Sequence, residues 1–111
     1  MKNNNSSYFV YIMSNSYDTV LYIGFTNDLL RRVREHKEGL ADGFTKKYNC
    51  HKLVYVELFH TVEEAMIREK QMKKWHRSWK ERLINEVNKE REDLAENWER
   101  VHEILTCFPG K

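Results

Sequence analysis

The chain has 111 residues, enough for one domain, and its 41% hydrophobic, 32% charged and 13% aromatic content is ordinary for a soluble globular protein. No apolar run approaches the ~20 residues that span a bilayer, and the polar stretch Met1–Ser7 has no signal-peptide core, so a cytoplasmic protein with a disordered N-terminus over 1–7 is expected. Net charge is only +2, yet residues 31–82 hold 14 Lys or Arg against 8 Asp or Glu while 83–111 hold 4 against 7; a basic body of this kind fits a polyanion such as nucleic acid, or a solvated mixed-charge surface.

Tyr8–Met13 (YFVYIM) is β-branched and aromatic and predicts a strand. Ser14–Asp18 is turn chemistry, and Thr19–Gly24 predicts a second strand that closes a hairpin. Asn27 is a candidate N-cap with Asp28 in the first turn of a helix that runs to about Glu38, and Gly39 is a plausible stop. Leu40–Lys52 reads as a polar loop holding Lys46, Lys47 and His51. Leu53–Phe59 (LVYVELF) predicts the third strand. Thr61 with Glu64 forms a capping box for a helix reaching about Trp75, and Ser78 with Glu81 forms a second one for the next helix. The order ββαβαα predicts an α+β fold: a small antiparallel or mixed three-stranded sheet flanked by helices, with a C-terminal helical extension. Cys50 and Cys107 form no CxxC pair and have no metal-ligand spacing, so two reduced thiols are expected rather than a disulfide.

Period-2 alternation puts Phe9, Tyr11 and Met13 on one face of the first strand and Val20, Tyr22 and Gly24 on one face of the second. The hairpin can therefore set Tyr11 and Tyr22 on the same side of the sheet, as core aromatics or as functional hydroxyls. On the first helix, Leu29, Leu30 and Val33 form the apolar stripe, with Arg32 and His36 one turn apart along its edge. On the helix from Thr61, the residues Val62, Ala65, Met66 and Met72 share one half of the wheel, and Glu69 falls at its centre. A carboxylate there is costly unless it is paired, reaches the rim or binds a cation.

Together these residues resemble the GIY-YIG nuclease superfamily, in its small stand-alone bacterial branch. Tyr22-Ile23-Gly24 matches the second of the two strand motifs that name the family, and Phe9-Val10-Tyr11 stands where the first belongs, keeping its tyrosine. Arg32 follows the second tyrosine at the family's spacing, His36 lies one turn later, and Glu69 stands where the family's metal-binding glutamate lies. The stretches YIGFTNDLLRRVREH, LVYVELF and REKQMKKWHRSWKERLI carry the likeness over about Tyr8–Ile84. Three positions depart from the pattern: Phe9 replaces a glycine, Glu81 stands near an expected asparagine, and Phe25 stands where a lysine is common.

The resemblance implies a metal-dependent endonuclease that hydrolyses phosphodiester bonds in DNA, structure-selective or weakly specific, over residues 8–86. Its catalytic set would be Tyr11, Tyr22, Arg32, His36 and Glu69. Glu69 would hold a single Mg²⁺ or Mn²⁺, since one carboxylate suits a cation that keeps its waters. Arg32 would clamp the phosphate, and Tyr11 or Tyr22 would orient or deprotonate the attacking water. His36 would hydrogen-bond the phosphate or relay a proton. Lys46, Lys47, Lys70, Lys73, Lys74, Arg77, Lys80 and Arg82 would attract the backbone, and Tyr48, Trp75 and Trp79 could stack on unpaired bases or pack internally. The competing readings are a nucleic-acid-binding module of the same fold with little catalysis, and an oligomerising protein whose basic face is incidental. In the acidic tail, 87–111, an a/d spacing of Val87, Leu94, Trp98, Val101 and Leu105 continues from Ile84 and is interrupted only at Arg91. Such a ladder folds back on the domain or pairs with a second copy in a homodimer.

Overall fold

A computed structural model of the chain describes residues 7–41 and 43–106. The expected disorder of the N-terminus therefore lies, apart from Ser7, outside the described residues, and so does Cys107; Cys50 is buried. Strand β1 (Tyr8–Ser14) runs through the middle of a three-stranded sheet, antiparallel to β2 (Leu21–Thr26) on one side and β3 (Lys52–Phe59) on the other. The hairpin is present, but β2 starts two residues later than the alternation suggests. The Asn15 side chain is the reason: its Oδ1 accepts the Thr19 and Val20 amides at 2.8 and 3.0 Å, holding both in the turn.

Helix α1 (Leu29–Lys37) is capped by Asp28 rather than Asn27, the Asp28 carboxylate accepting the Arg31 amide at 3.2 Å. It ends at Gly39, whose φ of +73° is the left-handed conformation that glycine adopts without strain. The expected polar loop contains a short helix, α2 (Gly43–Tyr48). Only Thr45 is buried along it, so no apolar periodicity marks it in the sequence. Helix α3 (Val62–Lys74) begins as the first capping box predicts, with Thr61 Oγ1 accepting the Glu64 amide. The second box does not form. Helix α4 (Arg77–Val87) starts behind His76, Ser78 lies inside it, and the Glu81 carboxylate turns to Arg77 and Arg91.

The tail is not one continuous helix. α4 stops at Asn88, Arg91 takes a φ of +57°, a 3₁₀ turn covers Leu94–Glu96, and α5 (Trp98–Thr106) follows. Two side chains fasten this break to β3. Asn88 Nδ2 donates to the Val54 carbonyl, and Asp93 Oδ1 accepts the Leu53 amide. Leu94, Val101 and Ile104 then bury themselves against the sheet of their own chain. The ladder thus folds back, and the structure gives no support to a homodimer through it.

The sheet separates two apolar layers. Tyr11, Met13, Leu53 and Val56 face α1, α5 and the 3₁₀ turn, whereas Val10, Ile12, Ile23 and Tyr55 face α3 and α4. A bulge in β3 opposite Ile12/Met13 leaves Val54 unmatched and shifts the parity, so Leu53 and Val56 share a face although they are three residues apart. Helical stripes are narrower than the wheel suggests: Leu30 and Met66, both assigned to apolar faces, stand in solvent.

Candidate active site

Tyr11 lies in the central strand, 1% exposed, with Gly24 directly across from it on β2. Tyr22 flanks it, the two ring centroids 6.4 Å apart. The His36 imidazole meets both rings edge-on, at 5.5 Å from Tyr11 and 5.4 Å from Tyr22. His36 does not sit at a solvated helix edge, as its pairing with Arg32 suggests; it is wholly buried, the next inward position after Leu29 and Val33. A buried imidazole needs both nitrogens satisfied. Here Nε2 meets the Tyr11 hydroxyl at 2.9 Å and Nδ1 meets Thr45 Oγ1 of α2 at 3.0 Å.

Arg32, one turn before His36, donates to Glu35 at 2.9 Å, and its charge lies beside the Tyr11 and Tyr22 hydroxyls. The Tyr11 hydroxyl thus sits between the Arg32 guanidinium and His36 Nε2, and Thr45 holds the opposite nitrogen of the ring. Burial works against the charge on Arg32, but its bonds to Tyr11 and Glu35 and the neighbouring hydroxyls of Tyr11 and Tyr22 outweigh it and hold the guanidinium more firmly protonated than usual. The same contact with Arg32, with Arg31 beside it, pulls Glu35 below the ordinary carboxylate range.

Gly24 makes this packing possible. A Cβ at that position would lie 2.7 Å from Tyr11 Oη and 2.9 Å from its Cζ. The glycine of the YIG stretch is therefore the space that the Tyr11 ring occupies.

Glu69 arrives from the other layer. It is carried by α3, which packs on the opposite face and spans β1 and the edge strand β2. Its side chain is 17% exposed and pairs with Lys73 at 3.0 Å. The cluster is thus Tyr11 and His36 joined by a hydrogen bond, with Tyr22 packed against both rings and Arg32 beside them, and Glu69 is not one of its members. Among the described residues, no three His, Cys, Asp or Glu side chains converge as a metal-binding group.

Lys46 and Lys47 project from α2, Lys70, Lys73 and Lys74 from α3, and Arg82 from α4, all exposed. Lys80 is half-buried, and burial followed by the charge of Arg77 lowers its pKa. Arg77 braces the hairpin turn against α4, donating to the Asp18 and Thr19 carbonyls at 2.7 and 2.9 Å and to Glu81 at 2.6 Å. Trp75 and Trp79 meet edge-on at 5.8 Å.

The buried ion pair of the molecule is not at Glu69. Arg68 grips Glu57 of β3 with two bonds of 2.8 and 2.7 Å, Tyr55 Oη donates to the same carboxylate, and Trp75 covers the guanidinium. Burial and the adjacent carboxylate push the Tyr55 hydroxyl far up. Glu57 in the apolar run of LVYVELF is the sequence signal for this pair. Thr45 and Phe44 were also hidden, because α2 reads as loop.

Comparison with known proteins matches residues 7–82 to the GIY-YIG catalytic domain. Among curated proteins, the UPF0213 protein of Bacillus velezensis is 36% identical over 88 residues, covering 79% of this chain and 87% of that one. A UPF0213 protein of Staphylococcus aureus is 41% identical over 80 residues, covering 72% and 96%. The solution NMR structure of a UPF0213 protein from Bacillus halodurans superposes with a TM-score of 0.52 at 28% identity, covering 82% of this chain and 96% of that one. The α+β architecture is shared with that structure, and the chain belongs to the GIY-YIG family.

Proposed function

We propose that this protein is a metal-dependent endonuclease that hydrolyses phosphodiester bonds in DNA with structural or weak sequence selectivity. The observation that carries this reading is the convergence of Tyr11, Tyr22, Arg32 and His36 from three elements into one cluster, in a chain with a GIY-YIG domain. In this reading Arg32 turns from Glu35 toward the scissile phosphate, where a planar guanidinium matches two phosphate oxygens. The Tyr22 or Tyr11 oxygen orients the attacking water and takes its proton either as a phenolate or, for Tyr11, as its own proton passes to His36 Nε2. His36 holds Tyr11, with Thr45 fixing the ring. The water oxygen bonds to phosphorus as the bond to the leaving oxygen breaks.

Glu69 would hold a divalent ion. A lone carboxylate fits Mg²⁺ or Mn²⁺, which take oxygen ligands and keep several waters, and does not fit zinc, which prefers several nitrogen or sulfur ligands. Such an ion supplies charge neutralisation at the phosphate. Lys73 occupies the Glu69 carboxylate in the structure and would have to release it. The second reading, a binding module of the same fold with weak catalysis, is favoured by Phe9 and Glu81, which stand where the family pattern has a glycine and an asparagine. Lys46, Lys47, Lys70, Lys74, Lys80 and Arg82 would attract the backbone without regard to sequence.

The test is cleavage of flapped, branched, single-stranded and duplex DNA in Mg²⁺ or Mn²⁺. Cleavage abolished by EDTA, by Glu69→Gln and by Arg32→Ala is the expected result. DNA binding without cleavage under any of these conditions would overturn the nuclease reading in favour of the binding module.

A further inference from the structure

Helix α2 does more than orient His36. Thr45, buried at its centre, bolts it to the imidazole, so the residues on either side are held at a fixed place beside the cluster. Two of them are aromatic and face solvent: Phe44 is 44% exposed and Tyr48 is 40% exposed. They stand one helical turn apart, with ring centroids 4.8 Å from each other. Phe44 in turn meets Tyr22 at 5.9 Å and an interplanar angle of 32°. Tyr22, Phe44 and Tyr48 therefore form a row of rings that starts in the polar cluster and ends at the surface. The ammonium group of Lys47 lies 5.4 Å from the centre of the Tyr48 ring, and Lys46 is exposed next to it.

Neither ring belongs to the buried core clusters, and each keeps about two-fifths of its surface in water. Contiguous exposed aromatics mark a binding surface. The two lysines give that surface the charge of a phosphate backbone's partner, and the row continues inward to the side chain that packs beside Arg32 and His36. Bases inside a duplex already stack on each other, so only unpaired bases can lie on protein rings. We infer that Phe44 and Tyr48 form a stacking platform for unpaired bases next to the phosphate, so that the protein engages single-stranded or frayed DNA in preference to intact duplex. The platform accepts every base, since each has a π-face, and it adds no sequence preference. The inference rests on the nuclease reading only for where the phosphate sits.

The test is a binding measurement that needs no cleavage. A single strand carrying 2-aminopurine, and a blunt duplex of the same sequence, are titrated with the full chain in EDTA. Wild-type protein quenches the 2-aminopurine fluorescence and binds the single strand more tightly. Phe44→Leu with Tyr48→Leu keeps apolar bulk but removes both rings; it should lose the quenching and about tenfold of single-strand affinity per ring. Tyr48→Phe should restore binding. Tyr48→Leu alone, at the outer end of the row, gives the same readout should the double variant fail to fold. A wild-type preference for blunt duplex, or leucine variants that keep quenching and preference, would overturn the platform. Preference without cleavage of any substrate sinks the nuclease reading and leaves the platform standing, whereas cleavage with unaffected leucine variants sinks the platform alone.

Discussion

Replacing Gly24 by alanine adds one methyl group at the place where it can do most harm. The new Cβ would stand 2.7 Å from Tyr11 Oη and 2.9 Å from Cζ, inside the 3.4 Å at which ordinary contact begins, so the ring must retreat by about 0.7 Å. It has little room to do so. Tyr11 is a stiff aromatic in the middle strand, and its hydroxyl is already 2.9 Å from His36 Nε2. A retreat of that size in the unfavourable direction takes the pair beyond hydrogen-bond range and leaves a buried imidazole nitrogen without its partner. Overpacking of this kind costs ~1–3 kcal/mol. Thermal unfolding followed by circular dichroism should show a melting point lower by several degrees. Cleavage should fall by about 10²-fold, the scale set by a displacement of about an ångström in a catalytic constellation. Combining Gly24→Ala with Tyr11→Phe removes the atom in closest conflict, so the stability losses should be less than additive. A Gly24→Ala protein with wild-type melting and wild-type rate would refute the close-approach argument.

Arg68→Ala should destabilise the protein by about 3–5 kcal/mol, because it strands the Glu57 carboxylate in the core; Arg68→Met with Glu57→Leu should recover much of the loss, and a denaturation midpoint for Arg68→Ala equal to wild type would contradict this. Thr45→Val keeps the shape but removes the partner of His36 Nδ1, so cleavage should fall about tenfold or more while Thr45→Ser restores it; an unaltered rate in Thr45→Val would remove α2 from the account of the site. Burial works against ionisation of Glu81, but its bonds to Arg77 and Arg91 outweigh this and hold its pKa below the usual range. Its contribution is therefore complete above the unfolded value of about 4.3 and disappears as pH falls through the lower folded value. Urea denaturation should thus show Glu81→Gln to be less stable than wild type at neutral pH, with the gap closing in acid; a gap that widens in acid would reverse the sign of the argument.

Local rules carried the order of the three strands and of α1, α3 and α4, because strands and amphipathic helices write their own period. Thr61 is the clearest instance: one hydroxyl on one amide sets the start of α3. The shared face of Tyr11 and Tyr22 was legible too, since alternation in two hairpin strands fixes it once the register places Tyr11 opposite Gly24. What the sequence hides depends on distant partners. His36 reads as a surface residue because it is polar, yet it extends the Leu29–Val33 stripe and is satisfied by Tyr11 and by Thr45 of a helix with no periodic signal. The wheel puts Glu69 at the centre of α3, but Arg68 reaches the buried carboxylate, and finding it requires the β3 bulge that sets Tyr55 and Glu57 beneath that helix. The break at Asn88 and Arg91 has no glycine or proline to announce it; it is held by the Val54 carbonyl on another element.

The sheet divides the candidate chemistry between its two sides. Tyr11, Tyr22, Arg32 and His36 belong to the α1 side, whereas Glu69 comes on α3 from the side of Val10, Ile12 and Ile23. Both faces of β1 are covered, and β3 lies beyond it, away from Tyr22. In the proposed mechanism Tyr22 and Glu69 act on one phosphate from opposite sides of the sheet, which puts that phosphate at β2, the six-residue edge strand against which α3 packs. On the inner side of that strand Gly24 leaves the space that the Tyr11 ring fills. A short edge strand limits unwanted pairing with other chains.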